Sequence, residues 1–550
     1  MDMPGEYDVI VLGTGGAGLT AAIKAHDEGA KVAVFEKAER VGGTTAWSGG
    51  MIWIPNNHHM PELGIHDSRE DALTYLMSLS HGLIDPERAA AFVDTGPEMV
   101  SWLEANTPAQ FTIVEGFPDY HPEFPCGKTE GGRSLECPLF PFTELGEWQH
   151  RVTVGYNYGT APVTMAESPL GSAVPRPISA DDIKRRAEED QRGCGQSLIG
   201  RLLKGCLDRG IEPVTNARAV ELITAEGRVT GVRIEGPDGV KDMRARGGVV
   251  MATGGFEWDE TLVRAFLRGP MTSPVSVPTN TGDGLKMAMR IGAGLGNMRE
   301  GWWMPAVEIP GDRGDGRPHQ HLFAAERARS RSIMVNRRGK RFTNEAANYN
   351  AFGAAFHEQD VARFEYANLP CWFLFDQAHL NHYGFINTAP GEAAADWVPR
   401  AATLRELAAM LGIDADALEA TVRRWNEHCA AGKDPDFLRG TSVHDTWWGD
   451  PACKGRPEAT LGPIEQGPFY AVEVRSGVLG TKGGPQTDTQ GQVLNVDGER
   501  IPGLYAAGDV MASVMGMTYA GAGGTIAPGM VFGYLAGRHA AEVARIGRNP

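Results

Sequence analysis

Six residues near the start of the chain, Gly13-Thr14-Gly15-Gly16-Ala17-Gly18, have the spacing G-x-G-x-x-G. Glycine at the first position permits a tight turn, at the second it lets the backbone approach a pyrophosphate, and at the third it lets a helix pack closely on a strand. The N–H groups that such a helix leaves free at its start, together with the positive end of its dipole, then hold phosphate. Glu36, 18 residues after Gly18 and followed by Lys37, can accept hydrogen bonds from two ribose hydroxyls and would repel a 2′-phosphate. This chemistry needs a strand before the glycines, a helix after them and a second strand ending at Glu36. Val9 to Leu12 is a short β-branched run, Leu19 to Asp27 is rich in helix formers, and Lys31 to Phe35 is a second apolar run. The resulting βαβ unit belongs to a parallel, doubly wound sheet.

Glycine-rich segments beyond Glu36 exceed the needs of a nicotinamide dinucleotide. Gly43, Thr44 and Thr45, then Ser48, Gly49 and Gly50, extend the glycine-rich contact along a pyrophosphate and a ring. Ala252, Thr253 and Gly254 come directly after the apolar run GGVVM, and Gly508 and Asp509 after the run LYAA. Each is a place where backbone can pass close to a cofactor, and Asp509 can bind ribityl hydroxyls. Jointly these segments point to FAD. They also predict an α/β fold in which a Rossmann-like FAD-binding domain is built from both chain ends, residues 1–298 and 467–550, with an inserted α+β substrate domain over 299–466. The stretch of about 138–194, aperiodic and scattered with Pro, Gly, Ser and Thr, reads as an excursion over the surface.

Length and charge set outer limits. A chain of 550 residues holds two or three domains. With 52 Lys and Arg against 69 Asp and Glu, its formal charge of −17 disfavours nucleic acid and anionic membrane surfaces. Seven cysteines without a CxxC pair fit a reducing, cytoplasmic setting, and no apolar run reaches the ~18 residues of a membrane span. His58-His59 and His319/His321 have no carboxylate or thiol at ligand spacing, so no metal is assigned.

The motifs RVGGTTAWSGG, PDY (Pro118 to Tyr120), RGKRFTNEAANY (Arg338 to Tyr349), LGTKGG (Leu479 to Gly484) and GLYAAGDVMASVMGMTYAGAGGTIAP (Gly503 to Pro528) give the chain its resemblance. It resembles the fumarate reductase and 3-ketosteroid dehydrogenase flavoproteins, and within them the 3-ketosteroid Δ1-dehydrogenases. The resemblance implies 1,2-desaturation of a 3-ketosteroid, with a proton leaving C2 and a hydride leaving C1 for the flavin N5. It assigns the Tyr519 hydroxyl and the Gly523 backbone N–H to the ketone oxygen, Tyr349 to the base, and Tyr120 to a helper that lowers the effective pKa of Tyr349. A lone tyrosine, with a reference pKa of ~10, is otherwise a weak base at neutral pH. Trp53, Trp302 and Trp303 are candidates to line the slot for the flat ring. FAD is expected to be noncovalent, because RVGGTTAWSGG lacks the histidine to which covalently flavinylated members attach it. Electrons would pass to an external quinone-like acceptor, with peripheral membrane contact compatible. Three other readings stay open: a Δ4(5α)-ketosteroid or other alicyclic-ketone dehydrogenase, a fumarate-reductase-like enoate reductase, and a flavin subunit that only relays electrons.

Overall fold

Strand β1 (Glu6–Leu12), helix α1 (Gly16–Asp27) and strand β2 (Val32–Phe35) form the opening βαβ unit in the computed structural model, which describes residues 5–173, 177–313 and 317–548. All of β1 beyond Glu6 is buried, so after Asp8 it reads as an unbroken apolar run from Val9 to Leu12 where a half-exposed strand would alternate. The glycine turn enters α1 directly, with Gly15 as its N-cap. After the short helix α2 (Gly43–Trp47) and strand β3 (Gly131–Glu136), the long strand β4 (Gly239–Met251) returns to lie parallel to β1.

A second sheet then forms from β5 (Gly301–Arg313), β6 (Ser332–Asn336), β7 (Cys371–Asp376) and β8 (Phe469–Thr481), in the antiparallel order β5-β8-β7-β6. The buried strand β7 shows how the period of two divides a core. Cys371, Phe373 and Phe375 join a cluster with Phe323, Phe352 and Phe385, whereas Trp372 and Leu374 join one with Leu418, Val422 and Trp425. The chain finally re-enters the first sheet as β9 (Arg500–Ala506), parallel to β4, giving the order β2-β1-β4-β9. Helix α3 (Ile526–Arg548) closes the fold against α1. A Cβ at Gly533 or Gly537 would stand 2.4 Å from the carbonyl oxygens of Ala17 and Ala21, so small residues set this helix contact.

Two sequence expectations differ from this arrangement. The boundary expected at 466/467 would assign β8 to the FAD-binding part, yet β8 is central in the second sheet, hydrogen-bonded to β5 and β7. The excursion expected on the surface buries Phe140, Phe142, Trp148 and Met165 among its described residues. Its backbone is held by a buried carboxylate, since the N–H groups of Met165 and Ala166 donate to Glu136. Side-chain anchoring of this kind leaves no periodic signature, which is why the segment reads as irregular.

One buried charge network fixes the loop before Tyr120. Arg133 on β3 is 1% exposed and pairs with Asp67 and Asp119, both at 2.7 Å. Asp119 also accepts from Trp53 Nε1 at 2.8 Å and from the Lys128 N–H. Removing the cation alone would leave Asp119 buried without a cation and Asp67 with Lys128 alone, 3.6 Å away. Arg133→Met should therefore cost about 3–5 kcal/mol of stability in denaturant unfolding, whereas surface Arg233→Met should leave the unfolding midpoint nearly unchanged.

Candidate active site

A cleft of about 1330 Å³ runs along the carboxyl ends of β1, β4 and β9, the place where open parallel sheets bind nucleotides. Of the eighteen residues expected to contact the cofactor, fifteen line it. The exceptions are Gly18, Gly49 and Gly50, whose glycines serve packing instead. A Cβ at Gly18 would lie 2.1 Å from the Gly13 carbonyl oxygen, one at Gly50 2.4 Å from the Cys194 backbone, and one at Gly49 2.9 Å from Met165 Sδ.

The polar groups of the cleft are already organised. Glu36 accepts from Thr14 N–H at 3.1 Å, Thr14 Oγ1 at 2.6 Å and Ala38 N–H at 2.9 Å, and burial raises its pKa. Lys37 donates to Thr281 and Asp283. Thr253 Oγ1, which lines the cleft, is buried with no hydrogen-bond partner. A long cleft with a glycine turn at a helix start, a carboxylate at the second strand end and an orphaned hydroxyl fits an adenine dinucleotide. Lining residues that sequence patterns did not single out include Ala217, Asn280 and Asp283 toward Lys37, and Leu322, Leu479 and Thr525 toward Trp302. They come from segments with no phosphate or ribose motif, so nothing in their spacing could have marked them.

Beside the cleft three phenols converge from three distant segments. Tyr120 follows the Asp119 loop, Tyr349 opens a single helical turn, and Tyr519 stands before the last helix. Their ring centroids lie 4.9–5.4 Å apart, edge to face, and the Tyr120 and Tyr349 hydroxyls are 2.8 Å from each other. Tyr349, Thr525 and the Gly523 backbone amide stand around the Tyr519 phenol and favour its ionised form, against burial, which raises its pKa. Gly523 has φ +98°, and a Cβ there would meet the Ile52 backbone at 2.5 Å, so only glycine presents this amide. The loop is pinned from outside by Tyr75 Oη and Tyr120 N–H donating to Ala520 O and by Ser134 Oγ donating to Ala522 O.

Apolar surfaces enclose the phenols. Trp448 stacks on Tyr349 with centroids 6.2 Å apart, and Trp302 packs edge-on to Tyr519 at 5.0 Å. Trp302 lines the cleft and donates Nε1–H to Asp509 Oδ1 at 3.0 Å, which joins the phenols to the cofactor cradle. Burial with the charge of Glu257 pushes Asp509 up to about 8, and burial brings Lys482, 4.1 Å from the Trp302 ring centroid, down to about 7. Trp53 is spent on Asp119 and Trp303 on Glu300 and His357, so neither is free to line the slot.

Burial raises all three phenol pKa values, those of Tyr120 and Tyr349 to well above 10. The Tyr120 and Tyr349 hydroxyls share one hydrogen bond, so ionisation of either phenol is coupled to the other. A hydrogen bond favours charge on its acceptor, and either hydroxyl of this pair can be the donor. His58 and His59, expected to lack a carboxylate, both bond Glu104, at 2.9 and 3.0 Å, and His321 bonds Glu326. The fold brings these acids in from sequence positions that ligand spacing does not reach.

The family model described as FAD binding domain matches residues 8–526. The 4-oxocyclohexanecarboxylate 2-dehydrogenase of Sinomonas cyclohexanicum is 42% identical over 97% of this chain and 92% of its own length. The 3-oxosteroid 1-dehydrogenase of Mycobacterium tuberculosis H37Rv is 38% identical over 98% of this chain and 99% of its own. Among solved structures, that of 3-ketosteroid Δ1-dehydrogenase from Sterolibacterium denitrificans in complex with 1,4-androstadiene-3,17-dione has a TM-score of 0.90 at 34% identity, covering 98% of this chain and 100% of the other. In the described residues no helix is long and apolar enough to cross a membrane. The chain belongs to the FAD-binding flavoprotein family that these ring-ketone dehydrogenases share, and it is an FAD-dependent oxidoreductase.

Proposed function

We propose that this flavoprotein desaturates the bond between the α and β carbons of a ring ketone, with the A ring of a 3-ketosteroid as substrate and the 1,2 bond as the bond oxidised. The observation that carries this reading is the meeting of Tyr120, Tyr349, Tyr519 and the Gly523 amide beside the FAD cleft. The Tyr519 O–H and Gly523 N–H donate to the ketone oxygen, where charge grows as the α-proton leaves, each contributing about 3 kcal/mol in the transition state. The Tyr349 hydroxyl, sharing its proton with Tyr120, takes the proton from C2. Bound FAD, held noncovalently, supplies the acceptor for the hydride that leaves C1. Trp302 and Trp448 exclude water and hold the ring flat. Electrons then leave to an external quinone-like acceptor.

A second reading has its own support. The relative with 42% identity is named for a monocyclic ketone that also carries a carboxylate. A carboxylate in the slot needs a cation or several donors. The rings packed on the phenols include Phe117, Trp302, Trp448 and His444, and His444 is kept neutral by burial, its pKa brought down to about 3. An uncharged alicyclic skeleton matches these walls better, so the steroid reading is preferred. The same apolar walls disfavour a dicarboxylate reductase, whose substrate would need two such clamps.

Anaerobic addition of a 3-oxo-4-ene steroid should bleach the flavin within the dead time of manual mixing, with 4-oxocyclohexanecarboxylate giving bleaching at least about tenfold slower at equal concentration. The reverse order would replace the steroid by the monocyclic acid, and oxidation of dithionite-reduced protein by fumarate would restore the reductase reading. Tyr349→Phe should keep FAD bound and lower kcat by about 10²–10⁴-fold. Tyr519→Phe should lower kcat/KM by about 10²–10³-fold. Near wild-type rates in both variants would remove these roles.

A further inference from the structure

The two phenols that share a proton are buried, and burial opposes the ionisation that a base requires. One permanent cation stands behind them. Arg327 is 0% exposed, and its guanidinium carbon lies 4.6 Å from the centroid of Phe352, three residues after Tyr349. Its Nε donates to Phe323 O, and its Nη1 donates to Glu345 O and Ala347 O in the strap that delivers Tyr349. Its Nη2 is buried without a hydrogen-bond partner, and no carboxylate bonds the guanidinium among the described residues. The nearest acid in sequence beyond Glu326, Glu345, is taken up by Arg341 and Arg439. An arginine buried without a bonded counter-ion costs several kcal/mol, a cost that a purely structural clamp with an uncharged side chain would avoid.

Resting on the proposed ring-ketone reading, we propose that Arg327 is a positioning residue for the base: it clamps the backbone that carries Tyr349 and supplies the countercharge for the singly deprotonated Tyr120–Tyr349 pair. The reactive form is the fraction of the pair that has lost one proton to solvent before substrate enters, a fraction that grows with pH. In turnover the α C–H breaks, its proton goes to the phenolate and its electron pair becomes the new double bond, while the β hydrogen would depart with its bonding pair as the hydride that bound FAD is there to accept. Arg327 acts on Tyr120, lowering its pKa, and an ionised Tyr349 acts on Arg327 in return. The groups facing the pair are Tyr519, Tyr158, His444 and His121; those facing Arg327 are Glu326, Asp445 and Arg439. Burial keeps both histidines neutral, at about 3 for His444 and about 4 for His121, so neither substitutes for the arginine.

The sign of the effect is fixed. Removing the cation raises the pKa of the pair, so kcat at neutral pH falls and recovers as pH rises. The test uses full-length FAD-loaded protein as wild type, Arg327→Gln and Arg327→Lys, because Gln can still bond the carbonyls without charge and Lys keeps the charge. The tyrosinate band is followed by ultraviolet difference titration without substrate, each protein measured against its own Tyr349→Phe partner, and kcat is measured against pH. In Arg327→Gln both the tyrosinate titration and the acid limb of kcat should rise by about one pH unit or more, with kcat at pH 7 down about tenfold. In Arg327→Lys the shift should stay under about half a unit. Unshifted curves in Arg327→Gln overturn the proposal, as does a uniform loss of kcat at every pH. If the Gln variant does not fold, a Lys variant displaced by a full unit overturns it. A wild type inert toward ring ketones would end the ring-ketone reading alone, since the substrate-free titration still reads the charge on the pair.

Discussion

The 2.8 Å contact between the hydroxyls of Tyr120 and Tyr349 joins residues 229 positions apart, and the catalytic reading rests on it. One phenol belongs to the part of the chain that builds the FAD cleft, the other to the strap leaving the second sheet. For the hydroxyls to share a proton, the two sheets must be held to within tenths of an ångström. The network of Arg133, Asp67, Asp119 and Trp53 fixes one side. Arg327 and Asn348, whose Nδ2 donates toward Tyr120 O, fix the other. Polar groups buried and bonded in this way give a unique geometry where apolar packing alone would tolerate several.

The parts legible in the sequence are those in which local backbone geometry is the function. A glycine turn between strand and helix must look like Gly13 to Gly18 because no other side chain fits, and Glu36 must end the second strand because ribose lies there. The parallel sheet followed from the same reasoning, and it contains both chain ends as expected. The second sheet was harder. Strand β8 pairs with strands about 100 and more residues away, so its membership is a fact of tertiary pairing that no local pattern carries. Gly18, Gly49 and Gly50 misled for a related reason: a glycine that admits a carbonyl or a methionine is locally identical to one that admits a phosphate.

The three phenols illustrate a different limit. Tyrosine has no spacing rule, and Tyr120, Tyr349 and Tyr519 are three of twelve in the chain. They could be singled out only through resemblance to a family, never from periodicity. Trp302 was selected along with Trp53 and Trp303 as an aromatic near the site, and only the hydrogen-bond partners distinguish them. Trp302 bonds Asp509 in the cleft, whereas the other two are committed to Asp119 and Glu300. Segment 138–194 was unreadable because its order comes from Glu136 and from Trp448, whose Nε1–H donates to Leu170 O, both outside it.

Fixed charge is distributed unevenly around the phenols, and the asymmetry suits a reaction that removes a proton and a hydride from adjacent carbons. On the cofactor side, burial pushes Asp509 up and Lys482 down, so both side chains hold less charge under Trp302 than they would in water. On the base side, Arg327 keeps its charge, because burial brings it no lower than about 9. In a medium of low effective dielectric such a difference acts over several ångströms. The charge that appears first, on the phenol pair as it ionises, is met by a cation already in place. In the proposed reaction the charge that appears later, on the ketone oxygen, would be met by two neutral donors, Tyr519 and the Gly523 amide. Neutral donors placed there would be stronger toward the developing oxyanion than toward the neutral ketone of substrate or product, which is the differential binding that lowers a barrier.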